Sequence, residues 1–300
     1  MNQETAIRVA AIQHQCGSER DDNLARSAQL IERAATDGAR LVVLQELHAT
    51  PYFCQTEDTA VFDLAESVPG PTTGFLGDLA RRHNTVIVGS VFERRLSGVY
   101  HNTAVVLDRD GSLAGRYRKM HIPDDPGFHE KFYFTPGDAN DDPFRPIETS
   151  LGPLGVMVCW DQWYPEAARL MALAGARVLI YPTAIGWDPR DDAAERRRQL
   201  DAWITVQRGH AIANNLALVA PNRHGHERPV SSDGPGIDFW GNSFICGPQG
   251  EILAQAEAAG DRVLTAVIDP DRTDRVRRIW PYLRDRRIDA YGELTTRVRD

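Results

Sequence analysis

The chain has 300 residues, 42% hydrophobic and 25% charged, enough to bury a large core. Its net charge of −8 argues against a general nucleic-acid binder, and no apolar run is long enough to span a membrane. Its cysteines, Cys16, Cys54, Cys159 and Cys246, are too few and scattered for a disulfide framework, and the start lacks the pattern of a signal peptide. A reducing cytoplasm is the expected compartment. No composition break or low-complexity linker divides residues 1–300, which read as one domain.

Residues 7–12 read as the first strand. Asp22 is placed to cap the helix that follows, with Leu24, Ala28, Ile31 and Ala35 as its apolar stripe and Gly38 as its stop. Residues 41–44 form a strand, and Glu46 stands at its end. After the turn Pro69-Gly70-Pro71 come a helix carrying Phe75, Leu76, Leu79 and Ala80, then a strand over 85–92. Residues 100–107 and 113–118 read as a hairpin with Lys119 at its far end. The long segment 122–146 is rich in Pro, Gly and Asp. Its aromatics Phe128, Phe132, Tyr133 and Phe134 favour an ordered, functional loop.

Residues 154–158 read as a buried strand that ends at Cys159. Pro165 suits a first helical turn, and Glu166 complements that turn's positive end. Tyr164, Ala167, Ala168, Met171 and Ala174 recur at helical spacing. Leu170 and Leu173 widen that face and predict a well-buried helix, ended by Gly175. With the strand over 178–181, the stretch predicts a parallel βαβ unit. Such a unit delivers the thiol to a turn beside a helix start, where a thiolate is stabilised. Taken alone, Cys159 reads more readily as a small buried hydrophobe. A short repeat, Gly-Ala-Arg followed by an apolar strand, occurs at 38–46 and again at 175–183. It is either chance or the mark of two similar halves.

A loop over 184–192 leads to a helix carrying Leu200, Trp203, Ile204, Gln207 and Ala211, then a strand over 216–220. Residues 222–236 form another loop, with His224, His226 and Asp233. Residues 239–246 and 252–256 read as a hairpin, and 262–268 as the last strand. The interleaved Arg and Asp residues of 271–289 read as ion-paired surface or an oligomer contact. The pattern is α/β with antiparallel additions, its long loops placed to gather around one site. There is no HExxH and no CxxC. His121, His129, His224 and His226 read as solvated loop residues, so neither metal nor cofactor is expected.

Glu46, Lys119 and Cys159 stand out together. The text around them is LVVLQELHATPYFC, GRYRKMHIPDDPGFHEKFYFTPGD and GVMVCWDQWYPEAARLMALAGARVLIYPTAIG, continuing through ANNLALVAPNR and FWGNSFICGPQGEILAQA. It resembles the nitrilase, or carbon–nitrogen hydrolase, superfamily over nearly the whole chain. The resemblance implies a four-layer αββα sandwich, a Glu46–Lys119–Cys159 triad, Glu130 as a supporting acid, and homo-oligomers. The chemistry suits these residue types. A thiolate attacks an amide or urea carbon better than water does. Glu46 can serve as base, Lys119 as stabiliser of the oxyanion, and the N–H of Trp160 as a second donor. The stretches HIPDDPGFHEKFYFTPGD and CWDQWYPEAARLMALAGARVLIYPTAIG most resemble the branch that hydrolyses N-carbamoylputrescine to putrescine, carbon dioxide and ammonia. Other carbamoyl amines, carbamoyl amino acids and amides are the alternatives, and a non-catalytic homologue is the other class. A distal ammonium calls for a carboxylate, and Asp125 or Asp188 is the favoured partner among Asp124, Asp125, Asp188, Asp191 and Asp192. Tyr52 and Trp187 are expected along the spacer or against the cation.

Overall fold

A computed structural model describes residues 6–141 and 143–299. Strand β1 (Ile7–Gln13) leads through helix α1 (Arg20–Thr36) to the parallel strand β2 (Leu41–Val43). Helix α2 (Pro71–His83) then leads to β3 (Val86–Leu96), parallel to β2. Antiparallel β4 (Val99–Leu107) and β5 (Leu113–Arg118) extend the sheet. The short helix α3 (Glu130–Tyr133) lies in the loop that follows.

A second sheet begins with β6 (Leu154–Val156). Helix α4 (Pro165–Leu173) and β7 (Val178–Ile180) complete the expected parallel unit. Next come β8 (Gly186–Trp187), α5 (Ala193–Asn214), β9 (Ala217–Ala220) and β10 (His224–Glu227). They are followed by β11 (Ile237–Trp240), β12 (Phe244–Cys246), β13 (Ile252–Gln255), β14 (Arg262–Ile268) and α6 (Pro270–Ile279). One large sheet has the order β14-β1-β2-β3-β4-β5, and the other β13-β12-β9-β7-β6. A small sheet, β10-β11-β8, stands apart from them.

Alternation along the strands places the layers. Val9 and Ala11, Leu41 and Val43, Val86 and Val88 join Leu154, Val156, Val178 and Ile180 in the core between the large sheets. The opposite faces of the first three strands, including Ala10, Ile12, Val42 and Ile87, pack under Leu30, Ile31 and Ala34 of α1 and Leu76 and Leu79 of α2. On the other side α4 and α5 cover the second sheet. The architecture is the αββα sandwich.

Several boundaries differ from the sequence reading. Glu19 is the N-cap of α1 and Asp22 lies within its first turn, because the helix begins before the apolar stripe does. Leu170 and Leu173 are 46% and 48% exposed, so α4 buries only its Ala167–Ala168–Met171 face. Residues 239–246 are not one strand. Trp240 ends β11, the left-handed Gly241 and Asn242 turn the chain, and β12 joins a different sheet. The long loop is ordered by its aromatics, as Tyr133 and Phe134 sink into a cluster with Phe53, Phe92 and Phe239.

Candidate active site

The site is built where strands end. The chain leaves β2 into a tight turn that carries Glu46, fully buried. Gln45 exchanges two hydrogen bonds with the His14 backbone, and Leu47 adopts a left-handed φ of 49°. A branched residue there is strained, so the surroundings must hold it. Ser90 Oγ accepts from the Leu47 N–H at 3.1 Å, and Arg223 donates to the Glu46 and Leu47 carbonyls at 2.9 and 3.0 Å. Lys119 directly follows β5, and its N–H donates to Asn102 O at 2.9 Å.

Lys119 lies between two carboxylates. Its Nζ donates to Glu46 Oε1 at 2.9 Å and to Glu130 Oε2 at 2.6 Å. Asn102 Nδ2 also donates to Glu46 Oε1, at 2.6 Å. Glu46 Oε2 is buried with no hydrogen-bond partner among the described residues. Tyr52 Oη donates to Glu130 Oε1 at 2.7 Å. Burial works against the Lys119 ammonium, but Glu130 and Glu46 outweigh it and hold its pKa well above the ordinary value. Burial pushes the Glu130 carboxyl up to about 7, against the pull of Lys119 and with the push of Glu46.

Cys159 follows β6 in the left-handed region, with a φ of 44°. That conformation costs a side-chain-bearing residue roughly 1–2 kcal/mol. Asp161 meets part of the cost by accepting from Val158 N at 3.0 Å, from His121 and from the Tyr117 hydroxyl. Cys159 opens a short 3₁₀ turn, Cys159–Trp163, while α4 starts only at Pro165. The thiol therefore sits in a turn, as expected, but that turn separates it from the α4 start that was expected beside it. Trp160 is an early residue of that turn, where an N–H has no intrahelical carbonyl. Burial first, then the Glu46 charge, pushes the thiol pKa well above its usual range, with Lys119 opposing. That direction favours the protonated thiol, whose Sγ stands 3.9 Å from Ala184 O. An accepted proton rather than a standing thiolate must start any attack.

Cys159 and Glu130 open onto a cavity of 430 Å³. That is ample for a small ligand. Its wall includes Asp125, Phe128, Trp160, Asp188, Asp191 and Trp240. Asp125 Oδ1 is buried without a partner among the described residues, and burial raises this carboxyl's pKa. Asp188 is different. Arg190 clasps it, holding its pKa down to about 2. Asp191 accepts from Gln199, Asp192 caps α5, and Asp124 is exposed.

Two expected contacts are corrected. Trp187 does not line the cavity; its indole N–H donates to Arg196 O and its ring packs on Trp240. Tyr52 is fully buried outside the cavity lining and meets it through its bond to Glu130 and its ring against Phe128. The loop histidines are not merely solvated. His224 is buried on Asp261, and His121 pairs with Asp161 and stacks on Tyr164. Asn102 and Arg223 escaped the sequence reading because an interior strand position and a strand-end Arg carry no pattern of their own.

The carbon–nitrogen hydrolase family model matches residues 8–278. An N-carbamoylputrescine amidase of Solanum lycopersicum is 43% identical, covering 97% of this chain and 95% of that protein. A citrullinase of Francisella tularensis is 39% identical, covering 96% and 98%. The crystal structure of a carbon–nitrogen hydrolase from Helicobacter pylori superposes with a TM-score of 0.94 at 52% identity, over 98% of this chain and 100% of that one.

Proposed function

This chain belongs to the carbon–nitrogen hydrolase family and is a hydrolase of C–N bonds, and within that family we propose that it cleaves N-carbamoylputrescine. The products are putrescine, carbon dioxide and ammonia. Glu46 takes the Cys159 proton as sulfur attacks the urea carbon, for which its unpartnered Oε2 is the available acceptor. Lys119 and the Trp160 N–H receive the developing oxyanion. Glu46 returns the proton to the departing ammonia or amine, leaving a thioester on Cys159. It then removes a proton from water, which hydrolyses that thioester. Released carbamic acid decomposes to carbon dioxide and the remaining amine. Glu130 orients Lys119 and the substrate nitrogen.

The observation that carries the substrate class is Asp125. A buried carboxylate oxygen without a partner, in the wall of the cavity that holds Cys159, suits a ligand with a cation at its far end. A carbamoyl amino acid would present a carboxylate to the same acidic wall. The test compares kcat/KM for N-carbamoylputrescine, neutral N-carbamoylbutylamine, citrulline and N-carbamoyl-β-alanine. We expect the carbamoyl amine to lead its neutral analogue by about 10- to 100-fold, the worth of one charged hydrogen bond. A lead for citrulline or the carbamoyl amino acid would overturn the assignment. We also propose self-association through the C-terminal segment, where Ile279, Ile288 and Leu294 lie exposed. Sedimentation as a monomer at micromolar concentration would remove that part.

A further inference from the structure

The buried pair Arg223–Glu227 takes no part in the chemistry just described, yet it holds the backbone of the loop that runs from Glu46 to Tyr52. Arg223 is fully buried, and its Nη1 donates to Glu227 at 2.7 and 3.0 Å. Its remaining hydrogen bonds go to the loop that carries the base, while Nε is buried with no partner among the described residues. Nη2 donates to Glu46 O and Leu47 O, and Nη1 to Thr50 O at 3.3 Å. Glu227 in turn accepts the Tyr52 N–H at 2.6 Å. The guanidinium carbon stands 5.9 Å from the Tyr52 ring centroid and 5.2 Å from that of Phe239. Tyr52 holds Glu130 through its hydroxyl.

We propose that the Arg223–Glu227 pair is a positioning device that sets Glu46 and Glu130 together on opposite sides of Lys119. One leg is the guanidinium fork on the strained Glu46–Leu47 turn. The other runs from Glu227 through Tyr52 to Glu130. Nη2 takes the two successive carbonyls while Nη1 keeps Glu227 and Thr50, a division between two nitrogens that a single ammonium cannot make. The ion pair also supplies the charge balance that a buried guanidinium requires. The inference rests on the reading of Glu46 as the base.

The test is Arg223→Lys, which keeps the charge against Glu227 and removes the fork. With the fold intact by circular dichroism, kcat should fall on the order of 10- to 100-fold, the scale of a displaced catalytic group, while KM holds. The decisive readout is coupling to Glu46. Iodoacetamide alkylation of Cys159 should slow in Arg223→Lys alone and change little when the substitution is added to Glu46→Gln. If the Lys variant does not fold, Glu227→Gln, which preserves shape and the Tyr52 acceptor, is read in the same way. A folded variant with wild-type kcat, or an equal slowing of alkylation in both backgrounds, would overturn the device. Glu46→Gln at wild-type turnover would sink the base assignment and the device with it. An inactive Glu46→Gln beside a wild-type Arg223→Lys would sink the device alone.

Discussion

The two halves of the sandwich share one plan. The order β1-α1-β2-α2-β3-β4-β5 is matched by β6-α4-β7-α5-β9-β12-β13, with parallel strands first and antiparallel ones after. Gly38 and Gly175, which open the repeated Gly-Ala-Arg, have left-handed φ values of 84° and 96°. Each frees the chain to leave a helix and enter a central strand. The matched strand ends even meet, since the Glu46 N–H donates to Thr183 O at 3.3 Å. The proposed chemistry is not duplicated. The first half supplies Glu46 after β2 and Lys119 after β5, whereas the second supplies the thiol after β6. Strand β13, the counterpart of β5, is largely exposed. Repeated topology thus fixes where strand ends lie, and single side chains decide which of those ends reacts.

This division is broken most directly at the second half's thiol. Cys159→Ala should lower turnover by at least about 10⁴-fold. Because Ala packs where Cys does, the circular dichroism spectrum should not change. Retained ammonia release in the Ala variant would end the covalent scheme.

The first half's contribution is tested next. Glu46→Gln keeps the shape that Asn102 and Lys119 contact but removes the proposed acceptor of the Cys159 proton. Turnover should fall about 10²- to 10⁴-fold, the range of general acid–base catalysis. Both thioester formation and its hydrolysis should slow in single-turnover mass spectrometry. A variant that accumulates thioester at the wild-type rate would restrict Glu46 to the second step.

The acid on the segment between the halves should show itself in pH dependence. Glu130 accepts from both Lys119 and Tyr52, an arrangement complete only when it is ionised. Turnover should therefore rise as pH passes about 7. Stability should move the other way. The folded carboxyl keeps its proton to about 7, above the ordinary 4.5, so between those values the folded chain binds more protons than the unfolded one. Stability is then greatest below the lower value and falls as pH rises through the upper. Glu130→Gln should flatten both dependences, the first in a kcat profile and the second in thermal melts. An acid limb unchanged in that variant would assign the limb to another group.

The smallest expected effects separate two carboxylates of the cavity wall. Asp125→Asn should lower kcat/KM for N-carbamoylputrescine by about 10- to 100-fold and leave the neutral analogue nearly untouched. Asp188→Asn, which removes a group already clasped by Arg190, should cost no more than about threefold. The reverse ranking would move the cation to Asp188.

By itself, the sequence determined most of the strand and helix order, because hydrophobic period and Gly or Pro punctuation are local properties, but it read β8 and β10 as loops, merged β11 with β12 and did not place α6. It also determined Glu46, Lys119, Glu130 and Cys159 as the group to watch, since each lies in a distinctive stretch of text. Tertiary structure alone decided the rest. Asn102, Arg223 and Glu227 act through bonds to residues far along the chain, which no local pattern records. The same holds for Tyr52 and Trp187, whose aromatic character suited a ligand wall but whose rings turn to Phe239 and Trp240. Asp125 and Asp188 read alike as loop acids. Burial left Asp125 Oδ1 without a partner among the described residues, and a neighbouring Arg neutralised the other. Desolvation and pairing depend on everything that packs around a charge, so only the folded chain could distinguish them.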